Sequence, residues 1–361
     1  MKPNVLRASY LIAIACIGGC ARPHPASSPI SAPKDSRPAV ISVRPNAHAI
    51  AYDIMEISTL GGPNSEAHDI NDHGDVTGQA DRAQGKPHGF LFRGGKLVDL
   101  GAFRDEQGTC GLKINNRGQI AGTTSYDGAF FWEKGRLQPI RAVRQPDNYM
   151  AYWIVGINDS GTVIGTADFS TFWIGYLWRH GKGMSMQRSP RIETLGLAIN
   201  NHGEYLWRDL GRPEQKQVLL HQAGRDRLAC LTSDENPEGD AGLTDNGDFF
   251  LSQSNAHSTL YIRHGASISL PMAASDINVQ RTIVGQKFLD PSDYRNGRAC
   301  RWQNGRVQDL NDLIDPASGW VLETAEGINK TGQIVGTGRH LGHRRGFILT
   351  PRSNAPARAS Q

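Results

Sequence analysis

Ile70-Asn71-Asp72-His73-Gly74-Asp75-Val76-Thr77-Gly78 decides the fold, because the chain keeps returning to it. It recurs as Ile114-Asn115-Asn116-Arg117-Gly118-Gln119-Ile120-Ala121-Gly122, from Ile157 to Gly165, and from Ile328 to Gly336. Fainter copies begin at Ile199, Leu243 and Ile277. The second positions fall at residues 71, 115, 158, 200, 244, 278 and 329. Most steps are 42 to 44 residues, with one of 34 and one of 51. Seven copies at such a period are the signature of a repeat architecture.

The Asn-x-x-Gly core of the phrase has a physical job. An Asn at the first turn position hydrogen-bonds the backbone two residues on, and Gly at the fourth tolerates the conformation that ends a type I turn. Asn71 with Gly74, Asn115 with Gly118, Asn158 with Gly161, Asn200 with Gly203 and Asn329 with Gly332 therefore read as structural turns between two strands. A ring of ligand-binding asparagines is the functional alternative.

Outward from each turn the copies continue alike. An aromatic strand follows, as in Gly89-Phe90-Leu91-Phe92, Ala129-Phe130-Phe131-Trp132 and Gly346-Phe347-Ile348-Leu349. A short glycine turn then leads to a fourth run such as Leu97-Val98-Asp99-Leu100 or Val307-Gln308-Asp309-Leu310. Aromatic and β-branched runs with glycine punctuation read as short antiparallel strands. Four strands per repeat and seven repeats predict an all-β, seven-bladed β-propeller. The last copy ends after its third strand, and an unpaired segment, Tyr52 to Ile57, precedes the first. That segment is expected to supply the missing outer strand of the last blade, covering an otherwise exposed edge. An open β-solenoid is the alternative, and it leaves the early segment unexplained.

The ends of the chain read differently. Residues 1–19 have the layout of a signal peptide: a basic start at Lys2 and Arg7, an apolar run from Ala8 to Ile17, then Gly18-Gly19-Cys20. The run is shorter than the roughly 20 apolar residues a membrane span needs. The exit resembles a bacterial lipobox, which implies lipidation of Cys20 and a durable membrane anchor. Ala21 stands where an inner-membrane retention signal would place Asp. By resemblance to Gram-negative lipoproteins, this points to the outer membrane. Residues 20–48 comprise the lipidated cysteine and a Pro/Ser/Ala-rich tether with extended, polyproline-like character. The repeat domain is assigned to 49–351 and a disordered tail to 352–361.

Bulk properties exclude little but bound the rest. The net charge of +4 includes Lys2 and Arg7, too small an excess to argue for nucleic acid. Forty-one glycines in 361 residues exceed the ordinary share of about 7%, as many tight turns require. Beyond the signal, Cys110, Cys230 and Cys300 remain, with no C-x-x-C motif. Buried free thiols are the plainer reading, and one disulfide is the alternative.

These phrases resemble the HAF repeat family of exported bacterial proteins, named for a His-Ala-Phe tripeptide before the third strand. Here it stands as His88-Gly89-Phe90, Gly128-Ala129-Phe130 and Arg345-Gly346-Phe347. The resemblance covers residues 52 to 351 and is strongest in copies one, two, three and seven. It implies export and a repeat fold, with no activity to carry over. In the other copies Trp207 and Leu251 replace the closing glycine, Thr244 replaces Asn, and Arg281 replaces the turn glycine. Blade boundaries between 200 and 285 are the least defined.

Catalytic signatures are absent: no G-x-S-x-G, no P-loop, no G-x-G-x-x-G, no H-E-x-x-H. Asp69 to Gly74 superficially matches a calcium loop, but His73 and Ala80 occupy ligand positions. His340 and His343, with Arg339, Arg344 and Arg345, form a charged hairpin that could meet an acidic partner. Aromatics at 149–153 and 169–176 are expected mostly in the core. No cofactor or metal is expected. The function expected is a membrane-anchored, monomeric, non-enzymatic binding or scaffold module for an envelope protein or glycan. A carbohydrate-active hydrolase or lyase, built from channel-mouth carboxylates and histidines, is the alternative; acidic residues such as Asp290, Asp293, Asp312, Asp315 and Glu326 are scattered through two longer loops.

Overall fold

The computed structural model describes residues 51–104, 107–125, 128–141, 151–169, 172–186, 193–211, 216–232, 240–254, 257–289 and 297–352. Cys20, the tether, the tail beyond residue 352, Asp290 and Asp293 lie outside the described residues. Seven four-stranded antiparallel sheets, each built on one copy of the repeat, form a seven-bladed propeller.

Blade 1 comprises Gly61–Ile70, Val76–Arg82, His88–Arg93 and Lys96–Asp99, in that order from channel to rim. Blade 2 starts with Thr109–Ile114, blade 3 with Ala151–Ile157 and blade 4 with Thr194–Ile199. Blade 5 starts with Ala241–Leu243, blade 6 with Ala273–Ile277 and blade 7 with Trp320–Ile328. In each, the repeated phrase is the end of the innermost strand, the turn, and the start of the second. Blade 7 carries only three strands from its own repeat. Its outermost strand is Tyr52–Ile57, antiparallel to His343–Pro351, with Tyr52 opposite Pro351 and Ile57 opposite Gly346. Among the described residues helix is confined to two short 3-10 turns, Leu310–Leu313 and Pro316–Ser318, which lengthen the step into blade 7.

The closing glycine of the phrase is a steric requirement. A Cβ at Gly78, Gly122, Gly165, Gly285 or Gly336 would overlap a carbonyl oxygen of the innermost strand. The aromatic residue of the third strand pairs with that glycine and covers it: Phe90 with Gly78, Phe130 with Gly122, Tyr176 with Gly165, Phe347 with Gly336. All four rings are fully buried. Each contributes on the order of 1.5–3 kcal/mol of burial. The middle residue of the tripeptide is small for the same kind of reason. Gly89, Gly175 and Gly346 abut the innermost strand of the next blade. Their N–H groups donate to Thr109 Oγ1, Thr194 Oγ1 and Ser65 Oγ across that junction.

The aromatic segments divide. Tyr152, Phe169, Ile174, Tyr176 and Trp178 are core, with Phe131 and Trp178 packed at 5.2 Å between ring centroids across blades 2 and 3. Trp153 is half-buried and lines the channel. Cys110, Cys230 and Cys300 are free thiols, the first and last buried.

Candidate functional site in the central channel

The asparagines of the repeat do more than turn the chain. In six blades Oδ1 accepts the N–H groups two and four residues on; for Asn115 these are Arg117 and Gln119, both at 3.0 Å. The glycine then takes a positive φ, between 71° and 82° at Gly74, Gly118, Gly161, Gly203, Gly247 and Gly332. The amide nitrogen reaches the next blade, and at Asn71, Asn115, Asn200 and Asn329 it also donates to the side chain four residues on. Asn71 Nδ2 donates to the carbonyl of Asn115 (3.0 Å), Asn115 to Asn158 (2.8 Å), Asn158 to Asn200 (3.2 Å) and Asn200 to Thr244 (3.1 Å). Asn278 donates to Asn329 (3.1 Å) and Asn329 to Asn71 (3.1 Å), carrying the belt from the last blade to the first. The belt has one gap. Thr244 Oγ1 turns back onto Asp248 of its own blade.

A second belt lies on the rim, one residue along. The N–H of Asn116 donates to Asp159 Oδ1 (2.8 Å) and its amide to Oδ2 (3.0 Å). Asn201 treats Asp245 likewise, at 2.8 and 3.2 Å. Lys330 binds Asp72 through both N–H (3.0 Å) and Nζ (3.4 Å). These turns surround an axial cavity of about 460 Å³. Its carboxylates at 72, 159 and 245 are all engaged by neighbouring turns, so this mouth is braced rather than open for chemistry.

Deeper in the channel, the residue before the repeated Ile is charged in three blades: Asp69, Lys113 and Asp276. Asp69 accepts from Ile70 N–H (3.0 Å) and from Ile114 N–H of blade 2 (2.8 Å). Asp276 accepts from Ile277 N–H and Ile328 N–H of blade 7, both 2.8 Å. Both carboxylates thus clip adjacent blades together. Burial raises both pKa values, Asp276 to about 7, against the opposing pull of Lys113. Lys113 loses some basicity to burial, yet Asp69, Asp276, Asp240 and Glu326 more than restore it and hold the ammonium charged.

Lys113 and Asp240 face a smaller cavity of about 120 Å³, walled by Trp153, Val155, Leu195 and Leu197, with Thr166 and Ser275 adding hydroxyls. Asp240 is surrounded by protein yet open to channel solvent, and its carboxyl is pushed up to about 6 by burial and then by the charge of Glu326. Among the described residues the side chains of Lys113, Asp240 and Glu326 are not engaged in hydrogen bonds, unlike those of Asp69 and Asp276.

The histidine hairpin is satisfied internally. His340 stacks on Trp320 at 4.6 Å and bonds Glu56, which also takes Arg345. Arg344 pairs with Glu66 and Arg339 with Glu323, both at 2.8 Å. His343 alone of this group stays exposed without an ion pair among the described residues. Asp312 and Asp315 lie at the 3-10 turns, Asp315 capping the second. Among the described residues no three His, Cys, Asp or Glu side chains converge as metal ligands, and no helix is long and apolar enough to cross a membrane.

Of the lumen group, sequence reading named Glu326 alone, and expected it in a loop, whereas it lies in the innermost strand of blade 7; Asp69, Lys113 and Asp276 were missed as channel residues. Their signal was the residue preceding Ile in each phrase, which is Asp, Lys or Asp in three copies and Gly or Ala in the others.

No protein-family model and no curated protein matches the chain. Solved structures do match it. A catalytically inactive virginiamycin B lyase from Staphylococcus aureus, solved with quinupristin, aligns over 83% of this chain and 99% of its own, at 10% identity and a TM-score of 0.51. A chain of the mitotic checkpoint complex aligns over 91% of this chain and 99% of its own, at 9% identity and a TM-score of 0.51. At such identities the likeness establishes the propeller fold alone.

Proposed function

We propose that the protein is a lipid-anchored binding module of the bacterial envelope. Cys20 carries the acyl anchor in the outer membrane, residues 21 to 48 hold the propeller off the lipid surface, and the propeller binds an envelope protein or glycan without transforming it. One observation carries the binding reading. The turn face is consumed by two hydrogen-bonded belts, whereas the lumen keeps Lys113 and Asp240 clear of such bonds beside Trp153. Recognition therefore belongs to the lumen and to the opposite face, where the blade-to-blade connections run.

The test has two parts. Mass spectrometry of the mature N-terminus from membranes should find acylated Cys20, lost in Cys20→Ser; an unmodified terminus cleaved elsewhere would refute the anchor. Glycan arrays and in-cell photo-crosslinking with the folded propeller should give a saturable ligand or partner, and a blank in both refutes the binding module.

A second reading, a carbohydrate-active hydrolase or lyase, has one observation in its favour. Burial, and then the charge of Glu326, raise Asp240 to about 6, a proton affinity suited to a general acid. Turnover of an envelope glycan, abolished by Asp240→Asn, would replace the binding reading with this one.

A further inference from the structure

The lumen cavity combines three chemistries in one enclosed place. Trp153 supplies an aromatic wall, Val155, Leu195 and Leu197 supply an apolar one, and Asp240 supplies an acceptor on the cavity surface. The charges around it do not balance. Asp69, Asp240, Asp276 and Glu326 all act electrostatically on Lys113, so the carboxylates outnumber the ammonium they act on. Asp69 and Asp276 direct both oxygens at backbone N–H groups. Asp240 and Glu326 have no such engagement among the described residues. A low-dielectric channel with surplus negative charge focuses its field on cations. An indole beside a carboxylate is a favourable environment for an ammonium group, since the ring face and the anion both attract it.

We propose that this cavity binds a small ligand through an ammonium group, with Asp240 in its wall as the counter-ion and Trp153 as its aromatic wall, while Glu326, outside the lining, adds negative charge that acts on Asp240. The shift of Asp240 towards neutral pH fits a carboxylate whose counter-cation is supplied from outside. The inference rests on the binding-module reading and names the ligand chemistry of its lumen.

Choline and its uncharged isostere 3,3-dimethylbutan-1-ol are the probes, titrated by calorimetry into the folded propeller at pH 7.5. Choline should bind saturably and the isostere at least tenfold more weakly. Asp240→Asn should weaken choline at least tenfold in a protein that still melts cooperatively, and Glu326→Gln should act in the same direction. Equal affinity for both probes, no binding of choline to the wild type, or unchanged affinity in a folded Asp240→Asn protein would overturn the proposal. A blank with choline beside a positive glycan array or crosslink would sink the lumen site and leave the binding module standing. Blanks throughout would sink both.

Discussion

The junctions between blades 2 and 3 and between blades 5 and 6 occupy equivalent places in the ring and are held by different means. At the first, Asn115 Nδ2 bonds the carbonyl of Asn158 while Asn116 grips Asp159 with both its nitrogens. At the second, Thr244 has no amide to offer, and Val279 stands where the others place Asp, Asn or Lys. The substitutes come from elsewhere. Asn246 Nδ2 reaches Val279 O (3.2 Å), and Arg281 Nε reaches the buried Asp248 (2.6 Å). Arg281 does so from the left-handed turn position, φ 61°, that glycine fills in the other blades. The comparison teaches that the repeat encodes its joints as well as its strands, and that a blade can lose the joint residues if another pair crosses the same gap.

The largest effect should come from transplanting one blade's answer into another. Leu251 of blade 5 occupies the closing position opposite Ala241, fully buried. Gly122 of blade 2 occupies the same position, where a Cβ meets the Cys110 carbonyl and the Phe130 ring. Gly122→Leu should therefore destabilise by about 3 kcal/mol or more, read from denaturant midpoints. Leu251→Gly should cost a comparable amount through the cavity it leaves, on the order of 2–5 kcal/mol. Tolerance of leucine at 122 would show that the closing glycine is a habit of the sequence and not a packing constraint.

Next in size is Asn115→Ala. It strips two N–H groups of their acceptor and one carbonyl of its donor, in a buried turn. A loss of about 2–4 kcal/mol is expected from groups left unsatisfied. Asn115→Asp keeps the turn acceptor and removes the amide's two donations, to the Asn158 carbonyl and to Gln119 Oε1, so it separates the turn from the amide contacts.

The smallest effect concerns the lumen. Asp240 and Asp276 have folded pKa values of about 6 and about 7, above their unfolded values near 3.8. The folded state therefore holds protons that the unfolded state has released. This contribution to stability is complete below pH 3.8 and is lost as pH rises through about 7. The melting temperature should fall between pH 5 and pH 8, and Asp240→Asn should flatten part of that slope. A melting temperature that rises across this window contradicts the electrostatic account of the channel.

Much of this was legible in the sequence. Asn-x-x-Gly with a fixed period gave strands, turns and blade number, because those depend on local backbone chemistry. The first three copies and the seventh carry that chemistry intact. Two things were not legible. The amide of Asn71 or Asn115 reaches a carbonyl more than 40 residues away, and no local pattern shows where a spare donor goes. Lys113, Asp240 and Glu326 sit in three different blades, and only closing a ring brings them to one axis. Asp240 was hidden further by the shortness of blade 5, whose innermost strand has three residues and whose phrase begins with Leu243.

The most direct test of the central claim, that side-chain amides rivet the blades, is a reciprocal exchange read by equilibrium unfolding. Asn115→Thr installs the gap of blade 5 in blade 2, and Thr244→Asn closes the gap where it naturally occurs. The account predicts that Asn115→Thr lowers the unfolding free energy and that Thr244→Asn raises it by about 0.5–1.5 kcal/mol, the net worth of one added hydrogen bond. Unchanged stability in both variants would contradict it, and would leave the asparagines as turn residues only.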